Sequence, residues 1–128
     1  MNNRIIIRLC VYLKYVCFRV VNKWGKKPWK LFKSPKKQYD IAIAYAHTGY
    51  VPYYVIDRVQ AKKKYMWHHE GRYIKDVRYK LDKEYYPQFD AIIPVSKDDS
   101  DILAKVFPEL IDNFHVLYNV LDKDEIRK

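Results

Sequence analysis

Phe89-Asp90-Ala91-Ile92-Ile93-Pro94-Val95-Ser96-Lys97, followed by Phe107-Pro108-Glu109-Leu110 and Val116-Leu117-Tyr118-Asn119-Val120-Leu121-Asp122, is the stretch that decides the fold. Asp90–Val95 is a short apolar run of strand length. Ser96-Lys97-Asp98-Asp99 then starts a helix, with a hydroxyl cap and two acids where the first turn is positive. Ile102, Leu103, Val106 and Phe107 recur at helical spacing, and Pro108 closes the helix. Phe114–Tyr118 reads as the next strand, and Asp122-Lys123-Asp124-Glu125 caps a further helix. Two apolar strands around one capped helix make a β-α-β unit.

The same alternation extends back towards the N-terminus. Tyr39–Tyr45 is a strand candidate, and the loop His47-Thr48-Gly49 follows it. A helix comes next, with Pro52 in its first turn and Tyr54, Val55, Ile56 and Val59 on it. Lys64–His68 is the second strand. Ile74, Val77, Leu81 and Tyr85 repeat at helical spacing and stop near Pro87. This predicts an α/β fold: a partial Rossmann-like parallel sheet of about four strands flanked by helices, over residues 38–128.

Residues 1–37 differ in kind. The chain of 128 residues carries a formal net charge of +10. Residues 1–37 hold 11 Lys/Arg and no acid, while residues 38–128 set the other 14 against all 15 acids, a net charge of −1. The whole basic excess therefore lies in one N-terminal segment, a pattern suited to an anionic surface. Residues 4–24 predict a basic amphipathic helix. Arg4, Arg8, Arg19 and Lys23 gather on one side, and Ile5, Ile6, Leu9, Leu13, Val16, Val20 and Trp24 spread over most of the rest. Gly25 stops it, and Lys26, Lys27, Pro28 and Trp29 begin a basic connector. A solvated face packed on the domain, a membrane-surface helix and a nucleic-acid arm all fit this pattern. The wide apolar face, with Trp24 and Trp29 at its boundary, favours the membrane surface, with Arg4, Arg8, Arg19, Lys23, Trp24, Lys26, Lys27 and Trp29 as the contacting residues.

Arg8, Lys14 and Arg19 interrupt the apolar stretch, so it does not read as a transmembrane span, and no small-residue cleavage site follows it. Cys10 and Cys17 lie about 10 Å apart on a helix, too far for a disulfide, and read as small apolar residues of a reducing compartment.

In a parallel sheet, the loops after the strands gather at one edge, and ligands bind there. Here that edge collects His47, Thr48, Gly49 and Tyr50, then His68, His69, Glu70 and Gly71, then Ser96 and Lys97, then Asn119. His68 and His69 are adjacent on an extended chain and point opposite ways, so they do not share one metal ion. No metal site and no cofactor are expected. One reading is a strand end with one buried and one solvated histidine. Another places His69 in a cleft, against a sugar hydroxyl or a reacting group. Ser96 is a helix cap and Asn119 a turn residue on local chemistry.

Three motifs in order resemble the N-terminal, acceptor-side domain of GT-B glycosyltransferases of the family 4-like group. Strand Lys64-Tyr65-Met66-Trp67-His68-His69-Glu70 is similar to the family's strand ending Trp-x-His, Val95-Ser96 to its Val-Ser pair, and Tyr118-Asn119-Val120-Leu121-Asp122 to its Tyr-Asn-x-x-Asp turn. The sequence departs from the pattern at His68, where an apolar residue is common, and at Glu70-Gly71. The resemblance covers residues 38–128. It implies transfer of a sugar from a nucleotide-sugar donor to a lipid-linked or polysaccharide acceptor. It also implies His69 as the catalytic, cleft histidine and His47, Thr48, Gly49, Tyr50, His68, Glu70, Gly71, Ser96 and Asn119 as substrate-side residues. In that family a C-terminal domain supplies most donor-binding residues. The chain therefore reads as a fragment, inactive alone, working in the cytoplasm at the inner membrane face. The alternatives are a non-catalytic accessory protein that binds membrane surfaces or nucleic acid, and a gene remnant.

Overall fold

The computed structural model describes residue 16, residues 27–69, residue 73 and residues 78–119. The chain divides into two compact units, residues 1–33 and 34–128, four residues from the boundary expected after residue 37. In the first unit the described part is Val16, which is helical, and residues 27–33, which hold a 3-10 turn at Pro28–Leu31. The rest of the expected helix over 4–24 lies outside the described residues, as does the expected final helix.

In the second unit, strand β1 is Gln38–Ala44 and helix α1 is Val51–Arg58. Strand β2 is Gln60–His68 and helix α2 is Tyr79–Tyr85, which continues into a 3-10 turn at Tyr86–Gln88. Strand β3 is Ala91–Pro94 and helix α3 is Lys97–Val106, and a 3-10 segment follows at Pro108–Asn113. Pro52 sits in the first turn of α1, where its missing N–H costs nothing. Ile74 and Val77, expected on α2, lie outside the described residues.

The sheet is parallel with order β1-β2-β3. Among the described residues it has three strands, against the expectation of about four. The expected fourth strand, Phe114–Tyr118, is present only as a parallel bridge between Phe114 and Ile92. His115 N–H donates to the Ile92 carbonyl at 3.0 Å and Leu117 N–H to the Pro94 carbonyl at 3.0 Å. The neighbouring β3 is four residues long and ends in Pro94, which has no N–H to offer, so this ladder stays short. Strand β2 starts four residues earlier than its apolar run. The polar stretch Gln60-Ala61-Lys62-Lys63 is drawn in by pairing, with Gln60 opposite Gln38 and Lys63 opposite Ile41.

Asp90 latches β3 onto β2. Its carboxylate accepts from Lys63 Nζ at 2.7 Å and from the Lys64 N–H at 2.8 Å, and its own N–H donates to the Lys64 carbonyl at 2.8 Å. Hydrogen bonding from Lys63, then from the Lys64 N–H, holds the Asp90 carboxyl below the usual carboxylate range.

The core lies on one face of the sheet. Ala44, Met66 and Ile92 contribute from the strands, and Val55, Tyr86, Phe89, Leu103, Phe107 and Leu110 from the segments between and after them. Strands added in one direction by right-handed crossovers bring their connecting helices to the same side, which is the arrangement this core shows. Phe107 is fully buried among Tyr73, Tyr79 and Tyr86, with ring centroids at 5.2, 5.7 and 5.2 Å. Beside the core, Asp82 is 4% exposed and accepts from both Tyr53 and Tyr73 hydroxyls at 2.5 Å. Burial first, then the hydrogen bond to Asp82, pushes the Tyr53 hydroxyl pKa well above its usual value. On the other face of β1, every second residue is open to solvent: Tyr39 40%, Ile41 55%, Ile43 47% and Tyr45 64% exposed.

Candidate functional site

The carboxyl ends of β1, β2 and β3 lie side by side. Ala44 pairs with Met66, His68 with Pro94, and Val95 N–H donates to the His68 carbonyl at 3.2 Å. Adjacent residues on an extended strand face opposite ways, so this edge has two layers.

The inner layer, on the core side, is His47, His68 and Asp99. His68 and Asp99 are each 0% exposed and His47 is 8% exposed. Both carboxylate oxygens of Asp99 lie within reach of His68 Nδ1, at 2.8 and 2.9 Å. An ionised Asp99 carboxylate would accept from a protonated Nδ1. The His47 and His68 rings pack with centroids 4.2 Å apart. Asp99 reaches this position because α3 is capped ahead of it: Ser96 Oγ accepts the Asp99 N–H at 3.1 Å. The capping acid thus turns its side chain inward to the histidine and leaves the helix end to the serine. Burying a charged group is costly unless it is paired and hydrogen-bonded, and the imidazole supplies that pairing.

The outer layer is Tyr45, Trp67 and His69. His69 is exposed, lies edge-on to Tyr45 at 4.8 Å and stacks with Trp67 at 6.3 Å, while Tyr45 and Trp67 are 5.8 Å apart. The two adjacent histidines are therefore divided between the layers, one buried and one solvated. His68, expected on the substrate side, is enclosed beneath the edge and has no solvent-facing surface.

Of the other expected residues, Thr48 and Gly49 are exposed, and Tyr50 is half-buried at the N-terminus of α1. Gly49 holds φ +65°, a left-handed conformation that glycine adopts without strain. Ser96 is half-buried with its hydroxyl engaged as the cap, and Lys97 pairs with Asp101 at 3.3 Å. Asn119 is exposed. Glu70 and Gly71 lie outside the described residues, and so do Arg4, Arg8, Arg19, Lys23, Trp24 and Lys26. Lys27 is half-buried. Trp29, expected at a membrane boundary, is 0% exposed. A tryptophan beside a proline offers a small buried cluster as readily as an interfacial anchor, and sequence alone does not separate the two.

Asp99 and Tyr45 are the members of this edge that the sequence did not single out. Asp99 was legible only as a helix-cap acid, and Tyr45 only as a strand residue. The signal that finds Tyr45 is its place one step beyond Ala44, level with Trp67.

At the opposite end of the strands, Ser34, Gln38, Asp57, Arg58, Gln60 and Lys64 line a cavity of about 460 Å³. Lys64 Nζ is engaged there with the Ile56 carbonyl at 2.8 Å, and burial lowers its pKa. This cavity sits at the amino ends of the strands, away from the edge where parallel sheets bind ligands. Among the described residues no three His, Cys, Asp or Glu side chains converge as a metal site, and no helix is long and apolar enough to cross a membrane.

The chain matches no protein-family model, no curated protein and no solved structure.

Proposed function

We propose that residues 38–128 form the acceptor-side domain of a GT-B glycosyltransferase. It passes a sugar from a nucleotide donor to a lipid-linked or polysaccharide acceptor, with the basic N-terminal segment holding it at an anionic membrane surface. The observation that supports this best is His69. It is a solvent-facing imidazole at the carboxyl end of the central parallel strand, at the ligand edge, beside two aromatic rings. The order of Trp67-x-His69, Val95-Ser96 and Tyr118-Asn119-x-x-Asp122 supports it as well. An imidazole at that place can accept a hydrogen bond from a sugar hydroxyl, or take up or give a proton. Donor binding falls to a second domain in this reading.

The test is nucleotide release from a nucleotide sugar, measured on the 128-residue chain and on the chain joined to whatever its gene encodes downstream. No turnover is expected from the first, and His69-dependent turnover from the second. Turnover by the 128-residue chain alone, or turnover indifferent to His69→Ala, overturns the proposal.

A non-catalytic binding protein is the second reading, favoured by the 11 basic residues and no acids within residues 1–37. Binding to anionic vesicles that survives moderate salt places the segment on membranes. Binding to duplex DNA that falls steeply with salt places it on nucleic acid.

A further inference from the structure

We infer that Tyr45, Trp67 and His69 form a stacking platform for a neutral pyranose ring. The inference deepens the glycosyl-transfer reading and rests on it only for the role of the bound sugar as acceptor. The platform itself rests on geometry. Register brings Tyr45 level with Trp67, since Ala44 pairs with Met66 one residue earlier, and His69 falls on the same face two residues beyond Trp67. The three rings lie within 4.8 to 6.3 Å of one another. Tyr45 remains 64% exposed, His69 is exposed and Trp67 is half-buried. Aromatic rings usually carry much of the buried apolar surface of a fold, yet here Tyr45 and His69 are exposed beside a half-buried Trp67, at the edge of the sheet where ligands bind.

The chemistry of the platform selects the ligand. A pyranose presents C–H groups on its faces and hydroxyls around its rim. The C–H groups suit the negative faces of aromatic rings, and the Tyr45 hydroxyl and His69 nitrogens suit the rim. A nucleotide would also stack, but a nucleic-acid strand needs cations along its phosphates. Residues 38–128 carry a net charge of −1, so this domain offers no such excess. A neutral glycan needs no counter-charge.

The experiment is aromatic NMR on the isotope-labelled 128-residue chain, titrated separately with maltotriose, cellotriose, chitotriose and uridine monophosphate. At least one trisaccharide is expected to shift the Tyr45, Trp67 and His69 signals at millimolar concentration. Tyr45→Ala should weaken that binding about tenfold, equivalent to about 1.4 kcal/mol. Tyr45→Phe keeps the ring and should retain binding, as should Tyr39→Ala, which removes another exposed ring of the same strand face. If Tyr45→Ala loses the amide pattern of the folded sheet, His69→Ala, beyond the end of the strand, carries the same expectation. No shift with any trisaccharide, shifts from uridine monophosphate alone, or equal loss in Tyr39→Ala overturns the inference. Sugar binding without turnover by a longer chain would overturn the transferase reading and leave the platform standing. Turnover without sugar shifts here would do the reverse.

Discussion

Asp99, in the first turn of α3, places both carboxylate oxygens within 2.9 Å of Nδ1 of His68, at the end of β2, and neither residue has any exposed surface. The pair joins the last residue of the central strand to the helix that follows the next strand. It also holds in place the imidazole that packs against His47.

Removing one partner leaves the other polar and buried. Asp99→Ala should therefore destabilise the domain by about 3–5 kcal/mol, and His68→Ala similarly. The double variant should cost clearly less than the sum of the two, because the stranded partner is gone. Urea unfolding of the four proteins measures this. Additive losses would show that the pair is not coupled.

Phe107 is enclosed by three tyrosine rings and anchors the end of α3 to α2 and to residues on either side of it. Phe107→Ala should cost about 3–5 kcal/mol, and Leu103→Ala, one helical turn earlier, about 2–5 kcal/mol. Both residues are fully buried. Thermal or urea unfolding is the readout, and losses under 1 kcal/mol would contradict the packing described.

Gly49 holds φ +65° between β1 and α1, and a Cβ there meets nothing within 4 Å. The cost of Gly49→Ala is therefore conformational rather than steric, about 1–2 kcal/mol. Gly49→Asn should cost less, because asparagine visits this region more readily. Equal stability of all three proteins would show that the turn can rearrange freely.

The Asp90–Lys63 contact gives two opposite pH dependences. The Asp90 pKa is depressed, first by its bond from Lys63. Its contribution is therefore present above the ordinary carboxylate pKa and is lost as pH falls through the lower folded value. The Lys63 pKa is raised, first by the same bond. Its contribution is therefore present below the ordinary lysine pKa and is lost as pH rises through the higher folded value. The site is open to solvent, so both effects should be small. Asp90→Asn should flatten the acid limb of stability against pH relative to the parent. An unchanged acid limb would place the effect elsewhere.

Much of the order of elements was legible from local chemistry. Pro52 marked a helix start, and Ser96 marked a cap that the structure places on the Asp99 N–H. The apolar run at Asp90–Val95 marked β3. The length of β2 was hidden, because Gln60-Ala61-Lys62-Lys63 is polar and becomes strand only by pairing with β1. The fourth strand expected at Phe114–Tyr118 is present only as the bridge to Ile92. Its apolar residues suit a ladder, but Pro94 and the short β3 give it little to pair with.

At the candidate site, the sequence by itself determined that the loops after the strands gather on one side, because that follows from a parallel β-α order. It also determined that His68 and His69 face opposite ways, because strand side chains alternate. Only the tertiary structure decided which of the two is buried and that Asp99 is its partner. It alone decided that Tyr45 and Trp67 join His69 on the open face. Those outcomes depend on which face of the sheet the helices cover, and that is set by strand order and register, which bring together residues distant along the chain.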